Sequence, residues 1–235
     1  MMIKYIFFDL GDTILDMSIS NKALSFGLKK VLPNKLPITE LISKWKNESG
    51  KVFKYYHNKG EFYTIKKLQT ISLKNSLSHF GINLSDKKLN DVIDDFWDYL
   101  IKNCTLFNDV SPMLSELSKN GYLLGLITDA DEEYVTQILK QHTLNDILKI
   151  KIISSQLKIY KPDQAIFQCA LYQAECQPNE AVYIGDSSID IYGAKKLGFV
   201  TIRVNRNQRE LDLSKIQPDF IVDNLSKISS IIAKI

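Results

Sequence analysis

Four polar side chains stand where apolar runs end or a helix begins. Asp9 follows Ile3–Phe8, Thr128 follows Leu124–Ile127, Asp186 follows Ala181–Gly185, and Lys161 lies just ahead of the helical pattern at Gln164–Ala174. Their chemistry is coherent. Two carboxylates suit a hard divalent cation such as Mg²⁺. A hydroxyl and an ammonium can hold phosphate oxygens, and an acid beside the metal can attack phosphorus. Phosphoryl transfer chiefly requires positioning and charge neutralisation, which this set could supply. Asp129, next to Thr128, either touches a substrate or caps the following helix, and the sequence favours neither.

Such residues must be brought together by the elements that carry them. Residues 3–8 read as a short buried strand and 9–16 as a polar, Gly-containing loop. After about residue 106 strands and helices alternate. A helix opens at Ser111-Pro112 and ends at Gly121; Tyr122–Ile127 is a strand; Tyr134–Gln141 is a helix. Ile150–Ser154 is a strand and Gln164–Ala174 a helix. Ala181–Ile184 is a strand, Asp190–Leu197 a helix closed by Gly198, and Val200–Val204 and Phe220–Val222 are strands before a C-terminal helix. This alternation predicts an α/β fold with a doubly wound, Rossmann-like parallel sheet that the first strand joins. Ligands of such sheets bind at the carboxyl ends of the strands, where the four residues stand. Residues 18–105 have helical spacing instead (Leu24, Leu28, Val31; Ile65, Leu68, Leu73, Leu77; Leu89, Val92, Ile93, Phe96). Pro33, Pro37, Gly60 and Gly81 punctuate them, and Ser85 with Lys88 starts a capped helix. The chain therefore divides into a core of residues 1–17 and 106–235 and a helical insertion of residues 18–105.

Composition narrows the function classes. Of 235 residues, 45% are hydrophobic and 24% charged, an ordinary globular balance. No apolar run reaches the ~18–20 residues of a membrane span, and the N-terminus lacks the pattern of a signal peptide, so a cytoplasmic protein is expected. Cys104, Cys169 and Cys176 form no CxxC pair, and His57, His79 and His142 have no metal-ligand spacing. Residues 16–105 carry 15 Lys against 9 acids, +6 within a chain of +3. The pattern fits a solvated helical surface better than a nucleic-acid module, so neither nucleic acid nor membrane is expected as a partner. The aromatic stretch Phe53–His57, with Phe62 and Tyr63, reads as the apolar seam of a helical bundle before it reads as a ligand pocket. The three arginines, Arg203, Arg206 and Arg209, read as a solvated loop before an anion patch or partner contact.

In this order the residues resemble the four motifs of the haloacid dehalogenase superfamily. Asp9-Leu10-Gly11-Asp12-Thr13 is similar to the first and Thr128 to the second. Lys161-Pro162-Asp163 is similar to the third, and Gly185-Asp186-Ser187-Ser188-Ile189-Asp190 to the fourth. The resemblance spans nearly the whole chain and favours Lys161, which precedes Pro162, over the nearby Lys158. It implies Asp9 as a nucleophile that forms an aspartyl phosphate. It implies Mg²⁺ held by Asp9, the Gly11 backbone oxygen and Asp186, with Asp190 supporting the ion directly or through water. Thr128, Asp129 and Lys161 would bind the phosphate, with Thr128 and Lys161 acting in catalysis, and the insertion would be a type C1 helical cap. The expected activity is hydrolysis of a small phosphorylated metabolite by a monomer or homodimer. One position departs from the pattern. Most phosphatases of the family carry a second Asp two residues after the nucleophile, where this chain has Gly11; Asp12 reads as an acid that stabilises the loop. The alternatives are therefore a weakly active or non-catalytic ligand-binding protein and a metal-free 2-haloacid dehalogenase.

Overall fold

The computed structural model describes residues 2–32, 37–206, 208 and 216–235. Pro33 and Arg209 lie outside them. The chain gathers into two compact units, Met1–Asp16 with Thr105–Ile235, and Met17–Cys104.

The first unit carries β1 (Tyr5–Phe8), β2 (Leu15–Asp16), β3 (Thr105–Leu106), β4 (Leu123–Thr128), β5 (Leu148–Ile153), β6 (Ala181–Gly185), β7 (Val200–Val204) and β8 (Phe220–Val222). Six of these form one sheet in the order β5-β4-β1-β6-β7-β8, with every pairing parallel. The central strands are covered on both faces. Ile6, Phe7 and Phe8 of β1, and Val182, Tyr183 and Ile184 of β6, are fully buried, which is why these segments read as continuous apolar runs rather than alternating ones. Gly125 of β4 shows how closely the strands are packed: a Cβ there would lie 2.6 Å from the Phe7 ring. The chain leaves β1 toward β4 and β5, then returns to β6 on the other side of β1 and continues to β7 and β8. The winding thus reverses between β1 and β6, the place where open α/β sheets bind ligands.

The second unit contains α1 (Ser20–Val31), α2 (Ile38–Asn58), α3 (Ile65–His79) and α4 (Asp86–Asn103). Thr64 caps α3 by accepting from Lys67 N, and Ser85 caps α4 by accepting from Lys88 N. Buried Leu89, Val92, Ile93, Phe96 and Leu100 form one stripe of α4, and a Cβ on Gly27 of α1 would meet the Val92 carbonyl at 2.7 Å. The seam of this unit is not where the aromatic stretch suggests. Leu41, Ile42, Trp45 and Val52 are the buried residues of α2, whereas Phe53, Tyr56 and His57 are half-buried and Tyr55 and Tyr63 exposed. Helical phase explains the difference, because a run of consecutive aromatics cannot all face one stripe.

The core helices are α5 (Val110–Lys119), α6 (Glu132–Gln141), α7 (Ser154–Leu157), α8 (Gln164–Ala174), α9 (Ser188–Leu197) and α10 (Ile228–Ile232), which flank the sheet. Ile166, Phe167 and Ala170 of α8 and Ala194 of α9 pack with Phe7, Ile127 and Tyr183 in one buried cluster. The antiparallel pair β2–β3 was not foreseen; at two residues each, the strands are too short to leave a periodic signal. Among the described residues, no helix is long and apolar enough to cross a membrane.

Candidate active site

Asp9 is the first residue after β1, and its N–H donates to Ile184 O at 2.9 Å, so the neighbouring strand fixes where the acid leaves the sheet. Asp186 follows β6, the strand on that side of β1. Lys161 arrives from the segment after α7. Its N–H donates to Asp129 Oδ1 at 3.0 Å, and Asp129 Oδ1 also accepts from Ser154 Oγ at 2.6 Å. Asp129 therefore does not cap α6, whose first-turn N-cap is Asp131; it braces the lysine loop instead. Burial raises its carboxyl above the usual range, with Lys161 pulling the other way.

The Lys161 ammonium is 2.6 Å from Asp9 Oδ1, 2.7 Å from Asp190 Oδ1 and 3.2 Å from the Tyr183 hydroxyl, with Ile127 O at 3.4 Å. An ammonium has three protons, and the three nearer acceptors match them. Lys158 lies exposed, with a left-handed backbone after α7. Asp190 is almost fully occupied. Its Oδ2 accepts from Ser187 N at 3.0 Å and Ser187 Oγ at 2.6 Å in a capping box at the start of α9, and its Oδ1 lies 3.0 Å from the Tyr183 hydroxyl. Gly185 makes room for this acid, since a Cβ there would come within 2.6 Å of Asp190 Cγ. Oxygens of Asp9, Asp186 and Asp190 lie within 4.8 Å of one another.

The charges do not balance. Two buried acids, Asp9 and Asp190, share one ammonium, with the carboxylate of Asp186 close beside theirs. Burial pushes the Asp9 carboxyl up to about 8 despite the pull of Lys161, and the negative charges of Asp190 and Asp186 add to the rise. Burial works to lower the Lys161 ammonium, but Asp190 and Asp9 outweigh it and hold it well above the usual lysine range. A cluster of oxygen donors short of positive charge fits a hard divalent cation.

Thr128 and Gly11, the rest of the expected set, stand at the end of β4 and just after β1, the strands next to each other in the sheet. The Thr128 hydroxyl, at the end of β4 and 3% exposed, accepts from Ala130 N at 3.3 Å. Gly11 forms a bridge with Leu15, and the turn closes with Asp12 N donating to Leu15 O at 2.8 Å. Asp12, not Gly11, takes the left-handed backbone, at φ 55°, a conformation that Asp tolerates better than most residues. Two contributors escaped the motif reading: Tyr183 and Ser154. Tyr183 had a signal, because a tyrosine inside a buried aliphatic strand must find a partner for its hydroxyl. Removing only that hydroxyl, Tyr183→Phe, is expected to destabilise the protein by about 1.5–3 kcal/mol, as for a bond to a charged group. It should lower turnover far less than loss of Lys161. Urea unfolding beside steady-state kinetics checks both, and an unchanged midpoint would remove Tyr183 from the network.

The two described arginines, Arg203 and Arg206, are not in a solvated loop. Arg203 is 5% exposed, with Nη2 2.9 Å from Asn205 Oδ1, and the Arg206 side chain is 9% exposed. Both turn back into the core.

A family model described as haloacid dehalogenase-like hydrolase matches residues 39–204. (S)-2-haloacid dehalogenase 4A of Burkholderia cepacia is 30% identical over 57% of this chain and 58% of its own, so that match spans under two thirds of the relative. Glyceraldehyde 3-phosphate phosphatase of Pyrococcus furiosus is 26% identical over 99% of this chain and 94% of its own. In structure, the chain is similar to the putative hydrolase YfnB of Bacillus subtilis bound to magnesium, with a TM-score of 0.82 and 18% identity, covering 99% of each chain.

Proposed function

The chain belongs to the haloacid dehalogenase-like hydrolase family, and from that premise we propose that it is a Mg²⁺-dependent phosphatase that hydrolyses a small phosphorylated metabolite. The observation that carries this reading is the excess of buried carboxylate around Lys161, which a metal-free reaction would not need. Asp9, Asp186 and the Gly11 backbone oxygen would hold the ion, with Asp190 reaching it through water because its own oxygens already serve Lys161 and Ser187. When bound, Mg²⁺ would supply positive charge against the phosphoryl group.

Lys161 holds Oδ1 of Asp9, so Oδ2 attacks phosphorus. The Asp9 O–P bond forms as the bond to the leaving oxygen breaks, and that oxygen departs with the electron pair. Water then attacks phosphorus, which returns the Asp9 carboxylate and releases inorganic phosphate. Thr128 and Lys161 hold the phosphate oxygens, while Asp129 keeps the lysine loop in place. We assign the helical insertion to a type C1 cap that selects the substrate.

Gly11 offers no proton to the departing oxygen. General acid catalysis is worth roughly 10²–10⁴-fold, so the substrates served best are those whose leaving group is already acidic. p-Nitrophenyl phosphate is expected to turn over at least about tenfold faster than glycerol phosphate. Equal rates would mean that another group supplies the proton. The same assay tests the function: hydrolysis should require Mg²⁺ and stop with excess chelator.

The relative from Burkholderia and the glycine at position 11 favour a second reading, 2-haloacid dehalogenation. There Asp9 would displace halide from C2, which needs no proton, and water would hydrolyse the ester to the 2-hydroxy acid. Chloride release from 2-chloropropionate that chelator leaves untouched, with no phosphate release, would replace the phosphatase reading with this one.

A further inference from the structure

We propose that Arg206 is a positioning residue for the nucleophile loop. Its guanidinium donates from Nε at 3.2 Å and Nη2 at 2.9 Å to the backbone carbonyl of Thr13, 193 residues away in the chain. Nη1 and Nη2 each donate at 3.0 Å to one oxygen of Asp109, and the guanidinium carbon lies 3.8 Å over the Phe107 ring. Asp109 Oδ2 in turn accepts from Leu225 N at 2.5 Å. One side chain thus ties the loop after β1 to the start of α5 and, through Asp109, to the C-terminal segment.

Thr13 is fully buried and belongs to the turn that carries Asp9, Gly11 and Asp12. Within the turn, Ile14 N and Leu15 N both donate to Leu10 O, and Asp12 N to Leu15 O, while Phe107 N donates to Ile14 O at 3.2 Å and the β2–β3 pair ties the far arm to Thr105–Leu106. Those bonds set the turn's shape and hold its two ends, Asp9 against Ile184 O and Leu15–Asp16 against β3. Arg206 adds a side-chain anchor between those ends, on the Thr13 carbonyl next to Asp12 at φ 55°. Two donors to one carbonyl, two to a carboxylate and a ring face together require a planar fork, which lysine does not have. Displacement of a reacting group by ~1 Å can cost about 10²-fold in rate, so losing the anchor should register in the chemical step and in the Gly11 carbonyl.

This assignment rests on the phosphatase reading. Arg206→Lys is expected to lower kcat on p-nitrophenyl phosphate by about 10–100-fold while KM moves less than about threefold, and to weaken Mg²⁺ binding measured by calorimetry. Free guanidinium at millimolar concentration should restore part of the kcat of Arg206→Ala. Asp109→Asn, which keeps the shape and loosens only the far end of the clamp, should show a smaller effect in the same direction and covers the case in which the Arg206 variants do not fold. Variants that melt earlier but retain kcat and Mg²⁺ affinity within about threefold, at a temperature where they are folded, would make Arg206 a stability clamp only and overturn the proposal. If the wild type neither hydrolyses phosphates nor binds Mg²⁺, the phosphatase reading fails and this assignment falls with it. If the wild type does both and the variants match it, only the assignment fails.

Discussion

Asp9→Asn is expected to lower phosphate hydrolysis by about 10⁴-fold or more, because the carbonyl oxygen of an amide cannot take the phosphoryl group as the carboxylate does. It should not cost the protein its fold. The wild-type carboxyl is buried and pushed up to about 8, so the metal-free folded state holds the charged form unwillingly. An unfolded Asp titrates near ~3.9. The stability from this group is therefore fully present below that pH and is lost as pH rises through about 8. Asn carries no such proton, so in chelator Asp9→Asn should melt a few degrees above the wild type at pH 8 and show a flatter pH profile between 4 and 8. Thermal melts across that range, with and without Mg²⁺, check the sign. A variant that melted lower and stayed active would remove Asp9 from the nucleophile position.

Lys161→Met should combine a large, though smaller, loss of activity with a loss of stability. Lys161 is 2% exposed and its ammonium lies within 2.7 Å of both Asp9 and Asp190. Removing one partner from a buried ionic network leaves uncompensated charge and costs about 3–5 kcal/mol. Removing a preorganised donor to developing charge costs about 10³-fold in turnover. The two losses separate in a double mutant. Lys161→Met with Asp190→Asn has one fewer stranded carboxylate and should recover part of the stability, but none of the activity. Denaturant unfolding of the four proteins in the cycle measures the coupling. Strictly additive stabilities would show that Lys161 and Asp190 do not support each other as their geometry implies.

Much of this site was legible in the sequence because its parts lie at the ends of continuous apolar strands. Asp9, Thr128 and Asp186 are each placed by a run that parallel sheets bury on both faces. The helix Gln164–Ala174 and the strands Val200–Val204 and Phe220–Val222 also lie at the residues their patterns gave. What escaped depends on contacts distant in sequence. Asp129 looked like a substrate ligand or a helix cap, and it became a brace only because Lys161, 32 residues on, folds back over it. Tyr183 belongs to an aliphatic strand by pattern and to the site by its hydroxyl. The aromatic residues of α2 misled for the opposite reason: composition marked them as core, while helical phase turned several outward. Arg206 was the most thoroughly hidden, since its partners are a carbonyl near the N-terminus and an acid at the start of α5.

The chain uses lysine 27 times and arginine 3 times. Where a position asks only for positive charge, it has almost always been filled with lysine, as in the pairs Lys74–Asp86 and Lys51–Glu48 on the helical unit. Of the two described arginines, Arg203 is buried and Arg206 largely so, and both are bound through the fork of the guanidinium. In such a vocabulary the scarce residue carries more information than the common one. Arginine here marks shape rather than charge, and in other lysine-rich chains of this family its few occurrences would be the first places to look for a hidden brace.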